Sequence, residues 1–352
     1  MRVCSLSIQK SAGNGRILLV PTQIIITCLN CVEVWSKHVI DLYLGNNNYG
    51  VMKNKKQWGG KWTEEKLDAF EKYVMAYLTI MNKFRDPYGW KLIYFDGFAG
   101  SGSRSQDDGN KEVLDLFGED IVSEEVGIYQ GAAERVVRIE SKKRSFDQFV
   151  FVDYNQANCD ALEQRLSQYP TIGRKHFLNR DANIAVKMLS STLRRDRTYK
   201  ALAFLDPFGM QLDWSSIESL RNLHVDLWIL VPTGVIINRL LERKIDLSVG
   251  LTHADKLESF FGLPESEIRS FFYTEIQEPT LFGDEETVVT KTENGIRKIA
   301  ELYTQQLKGI FPYVTEEPLV LYNNHHLPIY HLVFASKKET AMTIAQQIIN
   351  RR

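Results

Sequence analysis

The stretch Leu92-Ile93-Tyr94-Phe95-Asp96-Gly97-Phe98-Ala99-Gly100-Ser101-Gly102-Ser103 constrains this chain more than any other. A short apolar, aromatic run ends in a carboxylate and runs into a glycine-rich turn, which predicts a buried strand delivering a loop. Gly97, Gly100 and Gly102 have no Cβ, so the backbone there is free to take positive φ and pass close to a ligand. Open α/β sheets bind ligands outside the carboxyl ends of their strands, where Asp96 would stand.

The chemistry of that turn narrows the ligand. It lacks the Gly-Lys-Ser/Thr that supplies a lysine and a magnesium ligand to a nucleoside triphosphate, and the glycines of Gly97-Phe98-Ala99-Gly100-Ser101-Gly102 are wrongly spaced for a nicotinamide fingerprint. An acid at the strand end suits a cation. The amino-acid end of S-adenosylmethionine (SAM) carries an ammonium and no phosphate, so Asp96, Gly97, Phe98, Ala99, Gly100 and Gly102 are the candidate residues for its methionine moiety. The plainer alternative is a glycine-rich turn in an ordinary α/β protein.

A helix is expected from Trp62 to about Lys83, with Thr63 as N-cap and Leu67, Phe70, Val74, Tyr77, Leu78 and Met81 on one stripe. Asp86-Pro87-Tyr88-Gly89 should stop it. After the glycine turn, about 104–130 reads as a polar insertion and Gly131 to Ile139 as a helix. Phe149 to Asp153 is a second buried strand ending in an acid, and Asp153 is the candidate ribose ligand, since a carboxylate accepts from both vicinal hydroxyls. A strand-end Asp that only caps the next helix is the alternative. Lys175 to Leu178 leads into Asn179-Arg180-Asp181-Ala182-Asn183, where Asp181, with Ala182 beside it, is the candidate to meet the adenine amino group. Ala201 to Leu205 and Asp226 to Val231 are further apolar strands.

This alternation predicts a Rossmann-like α/β fold, its mostly parallel sheet covered on both faces. Residues 240–311, within an insertion of about 236–311, read as mostly helical. The strands Leu319 to Tyr322 and Ile329 to Ala335 then close the sheet as an antiparallel hairpin, followed by a helix from Lys338 to about Asn350. Such a closing hairpin separates class I methyltransferases from nicotinamide-binding folds.

Asp206-Pro207-Phe208-Gly209 follows the fourth strand, at the edge where the substrate of such a fold would lie. It resembles the Asp/Asn-Pro-Pro-Tyr/Phe motif of enzymes that methylate exocyclic amino groups of bases, with the second proline absent. It also resembles the Asp-Pro-Phe/Tyr-Gly of a guanine N2 tRNA methyltransferase family. An amino nitrogen conjugated to a base ring is a poor nucleophile. Hydrogen bonds from it to the Asp206 side chain and the Pro207 carbonyl draw its lone pair out of conjugation and aim it. Phe208 would stack on the base. As a plain turn, Asp-Pro-x-Gly has no such role.

Residues 1–51 carry three of the four cysteines, have no clear period and end in the Asn-rich Gly45 to Gly50. They read as an extension outside the working fold, with Met52 a plausible alternative start. Cys28-Leu29-Asn30-Cys31 has no second pair to complete a zinc site, and His325-His326 reads as a surface turn, so no metal is expected. The apolar runs near the N-terminus are too short to cross a bilayer, and so few cysteines fit a reducing cytoplasm. The formal net charge of −1 speaks against a protein that coats nucleic acid non-specifically, while leaving a local basic face open. The run Arg194 to Arg197 reads as a solvated helix end.

From Trp62 onward the chain resembles the three-Cys-motif partner protein (TcmP) family. The resemblance rests on Tyr94 to Gly102, on Leu202-Ala203-Phe204-Leu205-Asp206-Pro207-Phe208-Gly209-Met210-Gln211, on Asp226-Leu227-Trp228-Ile229-Leu230, and on Asn238-Arg239-Leu240. It implies a class I SAM-dependent methyltransferase whose partner is a radical-SAM-like protein with a three-cysteine motif. Three functions stay open: methylation of a nucleic-acid amino group (RNA or DNA), a SAM-binding accessory subunit of that partner with little activity of its own, or methylation of a small molecule or protein.

Overall fold

The predicted βα alternation closes into one large sheet. The computed structural model describes residues 61–100, 131–139, 145–238, 241, 244–245, 251, 253–279 and 285–351. The N-terminal segment 1–51, the insertion 104–130, Gly102, Arg239 and Leu240 lie outside the described residues.

Five parallel strands form the body of the sheet: β1 (Lys91–Asp96), β2 (Gln148–Asp153), β3 (Arg174–Asn179), β4 (Tyr199–Leu205) and β5 (Val225–Val231). Near the C-terminus, β10 (Leu319–Tyr322) and β11 (Pro328–Ser336) make a hairpin, and β11 runs antiparallel to β5. The order is β3-β2-β1-β4-β5-β11-β10, with β9 (Tyr313–Val314) pairing on β11. This is the Rossmann-like class I methyltransferase arrangement expected from the sequence. The strand order reverses between β1 and β4, which makes their carboxyl ends the topological switch point.

Each sheet face buries its own apolar cluster. On one lie α1 (Lys61–Tyr88), α2 (Ala132–Arg138), α3 (Gln156–Leu166) and α9 (Glu339–Asn350). Phe70 stacks on Phe204 at 4.3 Å, and Tyr73 and Trp228 both pack on Phe334. Against the other lie α4 (Ala182–Arg195), α5 (Trp214–Glu218), α6 (Ala254–Phe261), α7 (Glu265–Phe272) and α8 (Gly295–Lys308). Asp226, from one of the resemblance motifs, serves the scaffold. Its carboxylate accepts from Tyr73 Oη (2.7 Å) and Ser336 Oγ (2.6 Å), tying β5 to α1 and β11.

Three expectations need correction. Thr63 is no N-cap, because α1 already begins at Lys61 and buries Thr63 inside its first turns. The helix also runs through Pro87 and ends at Gly89, whose φ of 62° supplies the left-handed turn. The segment read as mostly helical carries α6, α7 and α8 and also a second sheet, with β6 (Lys244–Ile245), β8 (Glu285–Lys291) and β7 (Tyr273–Pro279) antiparallel in that order. The polar alternation of Thr-Glu-Ile-Gln-Glu and Glu-Glu-Thr-Val-Val-Thr gave too weak an apolar signal to stand out as strands.

After β5 the chain turns through Thr233–Ile237, where Gly234 lies against β11. A Cβ at Gly234 would overlap the Pro328 carbonyl oxygen and come within 2.9 Å of Ile329 Cα. Both neighbours are backbone and cannot swing aside. Gly234→Ala is expected to cost about 1–3 kcal/mol, read as a lowered urea midpoint; an unchanged midpoint would contradict this packing.

Candidate active site at the carboxyl edge of the sheet

Asp96 closes β1 and is only 2% exposed. Its Oδ1 accepts from the Phe98 N–H and its Oδ2 from Tyr94 Oη, both at 3.2 Å. Burial pushes the carboxyl up to about 7, with the charge of Asp206 adding to the rise, while the Phe98 N–H, the Tyr94 hydroxyl and Lys66 pull it back. Burial, with Asp96 next to it, also raises Tyr94 well above the usual phenol range.

The turn beyond is held by its own backbone. Gly97 N–H donates to the Phe204 carbonyl on β4 (3.0 Å), and Ala99 N–H to the Val152 carbonyl on β2 (2.8 Å). A Cβ at Gly97 would lie 2.5 Å from Leu205 Cδ2, and Gly100 has a φ of 62°. Gly100 N–H then donates to Asp153 Oδ2 at 3.1 Å. The two acidic strand tips are therefore joined through the glycine turn. Asp153 Oδ1 accepts from the Asn155 N–H (2.8 Å) and Asn158 Nδ2 (2.9 Å). An ionised carboxylate has roughly four acceptor positions; these bonds leave one on Oδ2, fewer than a pair of hydroxyls needs. Asp153 thus braces α3, as the capping alternative has it, and faces the glycine turn.

Asp181 lies at the same edge, beside the end of β2: Arg180 N–H donates to the Asp153 carbonyl at 2.9 Å. The Asp181 side chain caps α4, accepting from the Ile184 N–H (3.1 Å), with Ala182 buried behind it. Asn183, the next residue but one, spans to the fourth-strand loop. Its Nδ2 donates to the Gln211 carbonyl (2.9 Å) and its Oδ1 accepts from the Asp213 N–H (2.9 Å).

Asp206 follows β4, across the switch point from Asp96. Its Oδ2 lies 2.5 Å from Lys66 Nζ, an ion pair between side chains only 10% and 2% exposed. Lys66 also sits 5.3 Å from the centre of the Trp62 ring, which stacks on Tyr330. Sequence reasoning missed Lys66. The available signal was spacing: Trp62, Lys66, Phe70, Tyr73 and Tyr77 share one face of α1, and a lysine inside an apolar stripe needs a buried partner. Pro207 and Gly209 are buried, Gly209 with a φ of 85°, and the Phe208 N–H donates to Gln211 Oε1 at 3.0 Å. The Phe208 ring is 6% exposed and belongs to the core, so in this arrangement it does not present the stacking platform expected of it.

On the far face of the sheet, Thr233 Oγ1 and His331 Nδ1 meet at 2.7 Å, and burial lowers His331 to about 4. Neither was foreseen. Among the described residues no group of three or more His, Cys, Asp or Glu could hold a metal, and no helix is long and apolar enough to cross a membrane.

The sheet order and the acids at its switch point define a protein of the Rossmann-like class I methyltransferase fold. No family model matches the chain, and no curated protein does. Among solved structures it is similar to protein LPL1258 from Legionella pneumophila str. Philadelphia 1, of family model DUF519, with 10% identity over 84% of this chain and 92% of that one at a TM-score of 0.41. It is also similar to Trm1 from Pyrococcus horikoshii, solved with S-adenosyl-L-methionine, with 12% identity over 81% and 71% and a TM-score of 0.33. The fold assignment rests on strand order and register, not on these likenesses.

Proposed function

We propose that this protein is a SAM-dependent methyltransferase of the TcmP type, acting in the cytoplasm on an exocyclic amino group of a nucleic-acid base. The observation that carries the reading is the pairing of Asp96 and Asp153 through the Gly97–Gly100 turn, directly across the switch point from Asp206. The donor set fits the cofactor in part: the Asp96 carboxylate and backbone without a lysine-bearing phosphate loop suit an ammonium, and the remaining Oδ2 position of Asp153 suits one ribose hydroxyl. Asp96 and the glycine turn would hold the methionine moiety, Asp153 the ribose, and the Asp181–Ala182 turn the adenine.

When bound, SAM supplies an electrophilic methyl group on a sulfonium. What the chain itself contributes is positioning. Asp206 accepts from the amino group of the base and orients its lone pair, and Lys66 keeps that carboxylate in place. The Gln211 side chain holds the turn that carries the Pro207 carbonyl. The proton lost by the nitrogen passes to Asp206 or to water after transfer.

Calorimetric titration of the full chain with SAM is expected to give one site, lost in Asp96→Ala. Transfer of labelled methyl to total RNA, DNA or protein should then single out a nucleic acid, and Asp206→Ala should lower the rate by about a hundredfold or more, as loss of a preorganised polar group does. No heat with the wild type would end the enzyme reading.

A second reading is a SAM-binding accessory subunit for a three-cysteine, radical-SAM-like partner. The inward Phe208 ring and the lysine already seated on Asp206 favour it. Cofactor binding without methyl transfer to any of the three substrate classes would select it.

A further inference from the structure

The opposite, amino edge of the sheet carries an aromatic and basic surface. Phe84, Tyr88 and Trp90 form a ladder where α1 passes into β1: Tyr88 stacks on Trp90 with ring centres 5.2 Å apart, and Phe84 lies 6.4 and 6.3 Å from the two. Large aromatic rings are rarely left in water, yet Tyr88 is 63% and Phe84 41% exposed.

Cations are interleaved with this ladder. Lys200, buried and donating to the Arg197 carbonyl, has its Nζ 5.2 Å from the Trp90 ring, and the exposed Lys91 Nζ lies 5.1 Å from the Tyr199 ring. Strand register extends the row. Lys91 pairs with Tyr199 and Leu92 with Lys200; Ala201 N–H donates to the His224 carbonyl; and Lys337 and Lys338 follow Ser336, which pairs with Asp226. Lys91 and Lys200 thus stand at the amino ends of β1 and β4 and Lys337 and Lys338 just past β11, with the depressed imidazole of His224 leading into β5 between them, a width of about 15 Å at ~4.8 Å per strand. Arg197, in the turn before β4, joins them, and Arg194 and Arg195 at the end of α4 are exposed nearby in sequence. The groups feel one another: Lys200, Lys337, Lys338 and Arg197 together depress His224, after burial itself. Asp147 is held by Arg85 and Asp196 pairs with Lys91 at 3.7 Å, while Asp86 and Glu339 are exposed beside Tyr88 and Lys338, so the uncancelled charge rests mainly on Arg197, Lys337 and Lys338.

A chain of formal net charge −1 has no general excess of cations, so this clustering is local. Protein partners favour apolar surfaces with few lysines. The exposed Tyr88 ring stacked on the half-buried Trp90, with Arg197, Lys337 and Lys338 beside them, matches a polyanion whose bases offer π faces. We propose that this edge is a docking surface for single-stranded nucleic acid, with bases stacking on Tyr88 and Trp90 and phosphates meeting Lys91, Arg197, Lys337 and Lys338. This names where the substrate strand is held away from the reacting base. It rests on the reading above for the reaction but is tested independently of it.

The test is fluorescence anisotropy of labelled single-stranded oligouridylate and oligothymidylate with the full chain and no cofactor. Binding should weaken steeply with salt. Tyr88→Ala should weaken it roughly five- to a hundredfold, and Lys338→Glu should weaken it and flatten the salt dependence. Both side chains are exposed, so thermal midpoints should not move. Tyr88→Ala and Lys338→Glu should leave calorimetric SAM binding unchanged, so failure of the cofactor site and failure of docking are read separately. Absence of wild-type binding, or wild-type affinity in both variants, would overturn the proposal. So would a protein ligand that is lost in both variants while oligonucleotide binding persists.

Discussion

Lys66→Met is expected to destabilise the protein by about 3–5 kcal/mol, the usual cost of removing one member of a buried ion pair. Lys66 is 1% exposed and lies 2.5 Å from Asp206, so methionine leaves the Asp206 carboxylate in a low-dielectric site without its ammonium. The same change removes a cation that restrains the rise of the Asp96 carboxyl. Both acids at the switch point therefore lose a common counter-charge, and methyl transfer should fall with stability. Pairing Lys66→Met with Asp206→Asn should recover most of the lost stability, because a neutral pair of similar volume needs no charge balance. Urea denaturation of the four proteins of the cycle gives the coupling directly. A coupling near zero would mean that the pair holds nothing together.

The affinity for SAM should fall about tenfold for each pH unit below about 7 and level off above it. In the folded protein burial keeps a proton on Asp96 up to about pH 7, whereas the unfolded chain loses it near the ordinary value of 3.8. Between these two values the folded state binds more protons. Asp96 therefore opposes folding least below about pH 3.8; stability falls as pH rises from there to about 7 and is level above it. An ammonium beside Asp96 reverses the preference by favouring the ionised form, so a proton must leave on binding below pH 7. Calorimetry in buffers of different ionisation enthalpy should count about one proton released at pH 6 and none in Asp96→Asn, whose binding should be weak and nearly independent of pH. A flat wild-type profile from pH 5 to 8 would count against the ammonium at Asp96.

Much of the scaffold was legible because its signals are local. Apolar runs such as Leu92 to Phe95 and Leu227 to Val231 declare buried strands on their own, and an acid followed by glycines declares a strand tip. The closing hairpin was readable from two runs around a turn. The illegible parts depend on pairings between distant residues. Lys66 meets Asp206 across 140 positions, so nothing near either residue announces the contact. Phe208 has the composition of a stacking platform, and only the packing of α1 over β4 reveals that the ring turns inward. The second sheet escaped because residues 274–277 of β7 all face water, which removes the apolar alternation that marks a strand.

The carboxamide of Asn183 does more than fill space. By gripping both the Gln211 carbonyl and the Asp213 amide, it bolts the turn behind Asp181 to the loop descending from Asp206. Two loops become one bracket, so a change at Asn183 should be felt at Asp181 and at Asp206 together.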